Sequence, residues 1–262
     1  MQEGFAVQAR DLSIGWKGEV LAADIGFCLP AASSMAIIGE SGCGKSTLLQ
    51  TLAGLIPAIK GEAGFVSSQT RTPKKAMVWQ SLALFPWMRV RDNLALPLKL
   101  AKVAPETVAE RVEAMLKELE IESLADRFPK ELSGGQRQRL ALGRALIAEP
   151  DILFMDEPFS AIDAVLREHL QAFLKRLWTR HQCTMIFVTH DISEALYLGE
   201  TILMLGARPS RMVACGTNPV FSRDAEVDVR NTDAFYSAQR RLHEAFVATR
   251  SGRTIRLENA TW

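Results

Sequence analysis

The stretch Gly39–Thr47, which reads GESGCGKST, constrains this chain more than any other. It fits the pattern G-x-x-x-x-G-K-[ST] from Gly39 to Ser46, and that pattern has meaning only where a strand enters and a helix leaves. The apolar run Met35–Ile38 is what a buried parallel strand requires. Leu48, Leu49, Leu52 and Ala53 then recur at helical spacing before Gly54. Glycines let successive backbone N–H groups turn inward as an anion nest, and the start of a helix adds the positive end of its dipole. Lys45 can reach the β- and γ-phosphates of a nucleotide, and the Ser46 hydroxyl can ligate Mg²⁺.

The 262 residues suffice for one large domain or a domain with an insertion. A net charge of +1 gives no electrostatic case for nucleic acid as a partner. The cysteines, Cys28, Cys43, Cys183 and Cys215, fall at no metal-ligand spacing and read as reduced thiols. The opening residues lack the layout of a signal peptide, and no apolar run reaches the length of a membrane span. A soluble chain is expected, one whose membrane role would come through a partner.

Residues 5–14 read as a strand, Trp16 as part of a loop, and Ile25–Leu29 as a second strand stopped by Pro30. Residues 55–75 read as turns around a short strand near Phe65, and Ala76–Trp79 as a strand ending at Gln80. From Val90 to about Leu119 the pattern turns helical, with Pro97 and Pro105 as breaks; residues 134–148 are helical again. The span 89–150 thus resembles a helical block set into an α/β core. Ile152–Met155 is a buried strand ending on Asp156 and Glu157. A helix is predicted over 164–180, a strand over 184–189 ending on His190, a hairpin over 203–213 and a helix over 231–250.

Lys45, Gln80, Asp156, Glu157 and His190 all fall just past the ends of predicted strands. In parallel α/β sheets that is where ligands sit. Ser46 and Asp156 offer hard oxygen to Mg²⁺. Glu157 is the natural base for an attacking water. His190 can donate to a phosphate whose charge redistributes. The blander readings are a polar strand end for the carboxylates and a satisfied core histidine for His190.

Leu132–Gln136 reads LSGGQ. With the phosphate loop, it makes the chain similar to the ATP-binding cassette family, the ATPase subunits of ABC transporters. Gly39, Glu40, Ser41, Gly42, Cys43, Gly44, Lys45, Ser46 and Thr47 resemble its Walker A motif. Residues 152–156 with Glu157 resemble Walker B and the catalytic glutamate. Gln80 resembles the Q-loop glutamine, Asp163 in Ser160–Asp163 the D-loop aspartate, and His190 the switch histidine. Trp16 resembles the aromatic that stacks on adenine, although a surface loop aromatic is the competing reading. The resemblance implies ATP and Mg²⁺, with Ser46, Gln80 and Asp156 as metal ligands and Glu157, His190 and Gln80 as catalytic residues. One departure is Pro30–Ser34, where the family's Gly-Glu turn is absent.

The fold implied is α/β: a P-loop NTPase core (1–88 and 151–220), an N-terminal antiparallel β subdomain, an inserted helical subdomain (89–150) and a helical tail (221–262). The resemblance also implies a sandwich of two copies, each ATP lying between one copy's Walker A and the other's Ser133, Gly134, Gly135 and Gln136. A helix beginning at Gly134 would offer N–H groups and a dipole to an anion, while Ser133 as a plain N-cap is the simpler reading. Only 88 positions separate Lys45 from Ser133, too few for the coiled-coil arms of a repair ATPase. The favoured function is the ATPase of an importer with separate permease subunits and, indirectly, a solute-binding protein, at the cytoplasmic face of the membrane. A soluble cassette ATPase uncoupled from transport and a nucleotide-dependent scaffold are the alternatives. Residues 84–87 and 189–196 resemble the nitrate, sulfonate and taurine group. Residues 81–91 are apolar and interrupted by Pro86; they either fold under the helical block or, through Phe85 and Trp87, line a cleft for the permease.

Overall fold

The computed structural model describes residues 4–16, 18–67, 69–207, 210–250 and 257–261. One sheet organises them. Strands β1 (Ala6–Trp16), β2 (Glu19–Leu29) and β4 (Lys60–Val66) pair antiparallel. Strands β3 (Ser34–Gly39), β5 (Lys75–Val78), β6 (Ile152–Asp156), β7 (Thr184–Val188) and β8 (Thr201–Leu205) pair parallel. β9 (Ser210–Thr217) returns antiparallel on β8 and also touches β2, giving the order β4-β1-β2-β9-β8-β3-β7-β6-β5. β10 (Leu257–Thr261) lies parallel to β9.

β3, β6 and β7 are buried along their whole length, which is why they read as unbroken apolar runs. Alternation still sorts their side chains. Ala36, Ile38, Leu153, Met155, Met185 and Phe187 face one core, and Met35, Ile37, Ile152, Phe154, Ile186 and Val188 face another. The first core is completed by α2 (Val90–Leu100), α3 (Pro105–Glu118), α4 (Gly134–Leu146), α5 (Ala164–His181), α6 (Ile192–Leu198) and α7 (Asp233–Arg250). The second is closed by α1 (Lys45–Ala53) and by β1 and β2.

Several expectations need correction. Trp16 is the last residue of β1, opposite Glu19, instead of part of a loop; the reversal uses Gly18 at φ +86°. β2 begins at Glu19, six residues before the predicted start, because Asp24 at φ +55° interrupts the alternation that sequence reading follows. Pro97 does not break α2, which continues to Leu100. A proline there removes one backbone bond, but Leu94 and Leu98 bury on either side of it. Pro105 begins α3, at a position whose N–H has no helical partner in any case. The seven-residue α6 was not predicted. The tail expected to be helical contains α7 and also the strand β10. At Pro30–Ser34 a turn forms without glycine. Ala32 takes the left-handed backbone at φ +55°, its N–H bonds the Thr184 hydroxyl at 2.9 Å, and its carbonyl accepts from Arg223 at 2.7 Å.

Candidate functional site

Gly39 ends β3 where no side chain fits. A Cβ there would stand 2.7 Å from Cys43 Sγ and 2.9 Å from the Leu205 carbonyl. The chain then turns through Glu40–Cys43 and enters α1 at Gly44, which at φ +105° takes a conformation that costs glycine little. Cys43 is buried beneath the loop, and burial pushes its thiol's pKa up, so it is inert packing there. Ser41, Gly42, Gly44, Lys45, Ser46 and Thr47 line an open cleft together with Glu157.

Lys45 is 6% exposed, and its ammonium donates to the carbonyls of Gly39 at 2.9 Å and Glu40 at 2.8 Å. The Ser46 hydroxyl donates to Asp156 Oδ1 at 2.8 Å. Burial pushes the Asp156 carboxyl up from its ordinary range, against the Ser46 bond that pulls it down. A cation beside it would reverse that push. The hard-oxygen pair of Ser46 and Asp156 fits Mg²⁺, which takes one or two carboxylates and completes its shell with phosphate and water. Among the described residues there is no cluster of three or more His, Cys, Asp or Glu suited to a protein-only metal cage.

Glu157 follows Asp156 in the left-handed region, at φ +45°, with its N–H fixed to the Val188 carbonyl at 3.0 Å. A non-glycine residue held there is unusual and is found where surrounding structure demands it. The effect is to turn the carboxylate away from the strand line. Its Oε2 accepts from Gln80 Nε2 at 3.2 Å and lies 3.6 Å from His190 Nδ1. The strand ends of β5, β6 and β7 therefore bring Gln80, Glu157 and His190 together, beside the loop that holds Lys45 and Ser46.

Other predicted residues stand apart. Ser133 caps α4. Its hydroxyl accepts from the Gln136 N–H at 3.2 Å, and the Gln136 side chain accepts from the Ser133 N–H at 2.8 Å. Gly134 has open space where a Cβ would be. Gly135 packs on Leu166, with 3.2 Å between its notional Cβ and that side chain. Asp163 caps α5 through the Leu166 N–H at 3.1 Å. None of these lines the cleft of Lys45, and neither does Trp16, which is 56% exposed.

Two features escaped sequence reasoning. Asn93, fully buried on α2, accepts from the Phe85 N–H at 3.0 Å and donates to the carbonyls of Phe85, Met88 and Arg89. Arg144 of α4 donates to the carbonyls of Ala83 at 2.7 Å and Leu82 at 2.9 Å. Between them they shape residues 82–89. Leu82 and Leu84 pack on the core, Phe85 is half-buried and stacks edge-on with Trp87, and Trp87 is 73% exposed. The two readings of this loop thus divide within it. A buried amide whose partners are backbone groups leaves no signature in sequence.

The ABC transporter family matches residues 22–160. The aliphatic sulfonates import ATP-binding protein SsuB of Bacillus cereus (strain ATCC 10987 / NRS 248) is 40% identical over 191 residues, covering 72% of this chain and 75% of that protein. The taurine import ATP-binding protein TauB of Rhizobium johnstonii (strain DSM 114642 / LMG 32736 / 3841) is 41% identical over 192 residues, covering 72% and 73%. Among solved structures, cbiO1 from Clostridium perfringens, part of the ABC transporter complex cbiONQ, superposes with a TM-score of 0.73 over 83% of this chain and 90% of that one. At 24% identity that likeness concerns fold alone. The chain is an ATPase of the P-loop kind. It belongs to the ABC transporter family.

Proposed function

We propose that the chain powers an importer of small anionic or zwitterionic solutes of the sulfonate and taurine kind, and that Glu157 is its hydrolytic base. The relatives named for sulfonate and taurine import support the solute class. The observation that carries the catalytic reading is the Glu157 carboxylate, held between Gln80 and His190 and opening onto the cleft of Lys45.

In this reading the backbone of Gly39–Thr47 cradles the phosphates of ATP, and Lys45 exchanges its two carbonyl partners for the β- and γ-oxygens. Ser46, Asp156 and Gln80 are the side chains that would hold Mg²⁺, which when bound neutralises phosphate charge. Glu157 accepts a proton from water as the water oxygen bonds to the γ-phosphorus and the bond to the ADP oxygen breaks. His190 donates to the γ-phosphate as its charge redistributes. Trp16, exposed at the end of β1, is free to stack on adenine.

Residues 89–150 act as a helical subdomain on a core of 1–88 and 151–220. Ser133–Gln136 and Asp163 serve the second copy's nucleotide, which accounts for their absence from this copy's cleft. Residues 81–91 meet the permease, chiefly through Trp87, and a solute-binding protein acts on the far side. No described helix is long and apolar enough to cross a membrane. In this reading the chain sits on the cytoplasmic face through those subunits, as the likeness to import ATP-binding proteins supports.

The test is Glu157→Gln. The variant should bind ATP as the parent does, lose turnover by about 10²–10⁴-fold, and elute as an ATP-stabilised dimer. Near-parental turnover would remove Glu157 from the role.

A further inference from the structure

His190 is weakly held for a residue given a geometric task. Its side chain is 62% exposed, and the contact it makes is with Glu157 at 3.6 Å. Its neighbours are held far better. The Thr189 N–H bonds the Ile37 carbonyl at 3.1 Å, and the Thr189 hydroxyl accepts from the Asp191 N–H at 3.0 Å. Asp191 Oδ1 accepts from the N–H groups of Ser193 and Glu194 at 2.8 and 3.2 Å. Its other oxygen, Oδ2, accepts from Arg167 Nη1 at 3.3 Å. Arg167 lies one turn into α5, and its Nη2 donates to the Ile162 carbonyl at 2.8 Å. One guanidinium therefore spans from the loop 160–163 to the residue directly after His190.

The pair is not built for stability. Both side chains are 29% exposed, and an ion pair so placed contributes no more than about 1 kcal/mol. What it offers is direction. A guanidinium is a rigid fork that serves two acceptors at once, which an ammonium on a flexible stem does less well. Beneath the pair, Glu194 is 3% exposed and its Oε1 has no protein partner. Burial pushes its carboxyl up to about 8, against the lowering charge of Arg167. Arg167, Asp191 and Glu194 line one small pocket with Glu157 and His190.

We propose that Arg167 is a positioning residue, tying the Ile162 carbonyl to Asp191 and so setting where His190 stands against Glu157. This rests on the reading of His190 as a contributor to hydrolysis. Its consequence is that a shift of the loop 160–163 is felt at His190 without passing through the nucleotide.

Steady-state ATPase rates and nucleotide affinity of Arg167→Gln, Arg167→Lys, His190→Ala and the double variant R167Q/H190A test it. R167Q should lower kcat about ten- to a hundredfold with KM for ATP and the melting temperature unchanged. R167K should fail to restore the rate. In the H190A background R167Q should cost nothing further, because the group it positions is gone. An additive loss in the double variant, or parental kcat in R167Q or R167K, overturns the proposal. If H190A itself turns over as the parent does, the role of His190 falls and this inference falls with it. If H190A is slow and R167Q is fast, only the role of Arg167 is lost. Should R167Q fail to fold, Asp191→Asn keeps the oxygen that caps α6 and loses the carboxylate; parental kcat there overturns the proposal equally.

Discussion

Replacing Lys175 with methionine should stabilise this protein at neutral pH, and the gain should vanish at high pH. Lys175 lies on α5 with no exposed surface, and its ammonium has no hydrogen-bond partner. It stands 4.2 Å from the ring centre of Tyr197 and 5.0 Å from that of Phe221. Burial, and secondarily the charge of Arg230, pull its pKa down from 10.5 to about 8. That drop corresponds to roughly 3 kcal/mol against the charged form. The two aromatic rings return about 0.5–2 kcal/mol of it. Methionine keeps the straight chain and removes the charge, so K175M should gain about 1–2 kcal/mol at pH 7, or several degrees in Tm.

The sign of the pH dependence follows from linkage. Below pH 8 both folded and unfolded chains hold the proton, and the penalty is complete. Between about 8 and 10.5 the unfolded chain keeps a proton that the folded chain has released, so the parent's stability rises with pH. The gap between K175M and the parent should therefore shrink across that window. Urea melts at pH 7, 8, 9 and 10 measure it. A less stable K175M at pH 7, or a gap that does not change with pH, would refute the argument.

Lys45→Ala should weaken ATP affinity by removing a charge from the phosphates, whereas His190→Ala should leave affinity near parental and lower the rate; equal affinity losses in equilibrium binding would contradict that division. Trp87→Ala should leave the melting temperature and basal ATPase activity unchanged while abolishing co-purification with the permease subunits; early melting of the purified variant would make Trp87 a packing residue. Asn93→Ala should cost about 2–4 kcal/mol, since it leaves the Phe85 N–H and the Met88 carbonyl, both partly buried, without a partner; a thermal melt indistinguishable from the parent's would show that water replaces it.

The parts of this fold that sequence disclosed are those whose cause is local. β3, β6 and β7 are apolar because both faces are covered, and Asp156, Glu157 and His190 stood out because polar side chains follow such runs abruptly. Ser133 stood out through the LSGGQ run to which it belongs. A bulge hid the first half of β2: Asp24 takes positive φ, at +55°, and breaks the alternation around it. α6 is too short to display a period. Arg167 and Asn93 were invisible for another reason. Their partners are backbone carbonyls or a carboxylate 24 positions away, and backbone groups carry no side-chain identity to read.

The two carbonyls that hold Lys45 have a consequence for what the loop will accept. Two of the three ammonium N–H groups are engaged, so at those two a ligand gains only the difference between its own oxygens and those of Gly39 and Glu40. A lone, well-hydrated anion offers little difference. A polyphosphate offers several oxygens at fixed spacing, and can replace both carbonyls at once. The two carbonyls thus set a threshold that a ligand with several linked oxygens crosses more easily than a lone anion does.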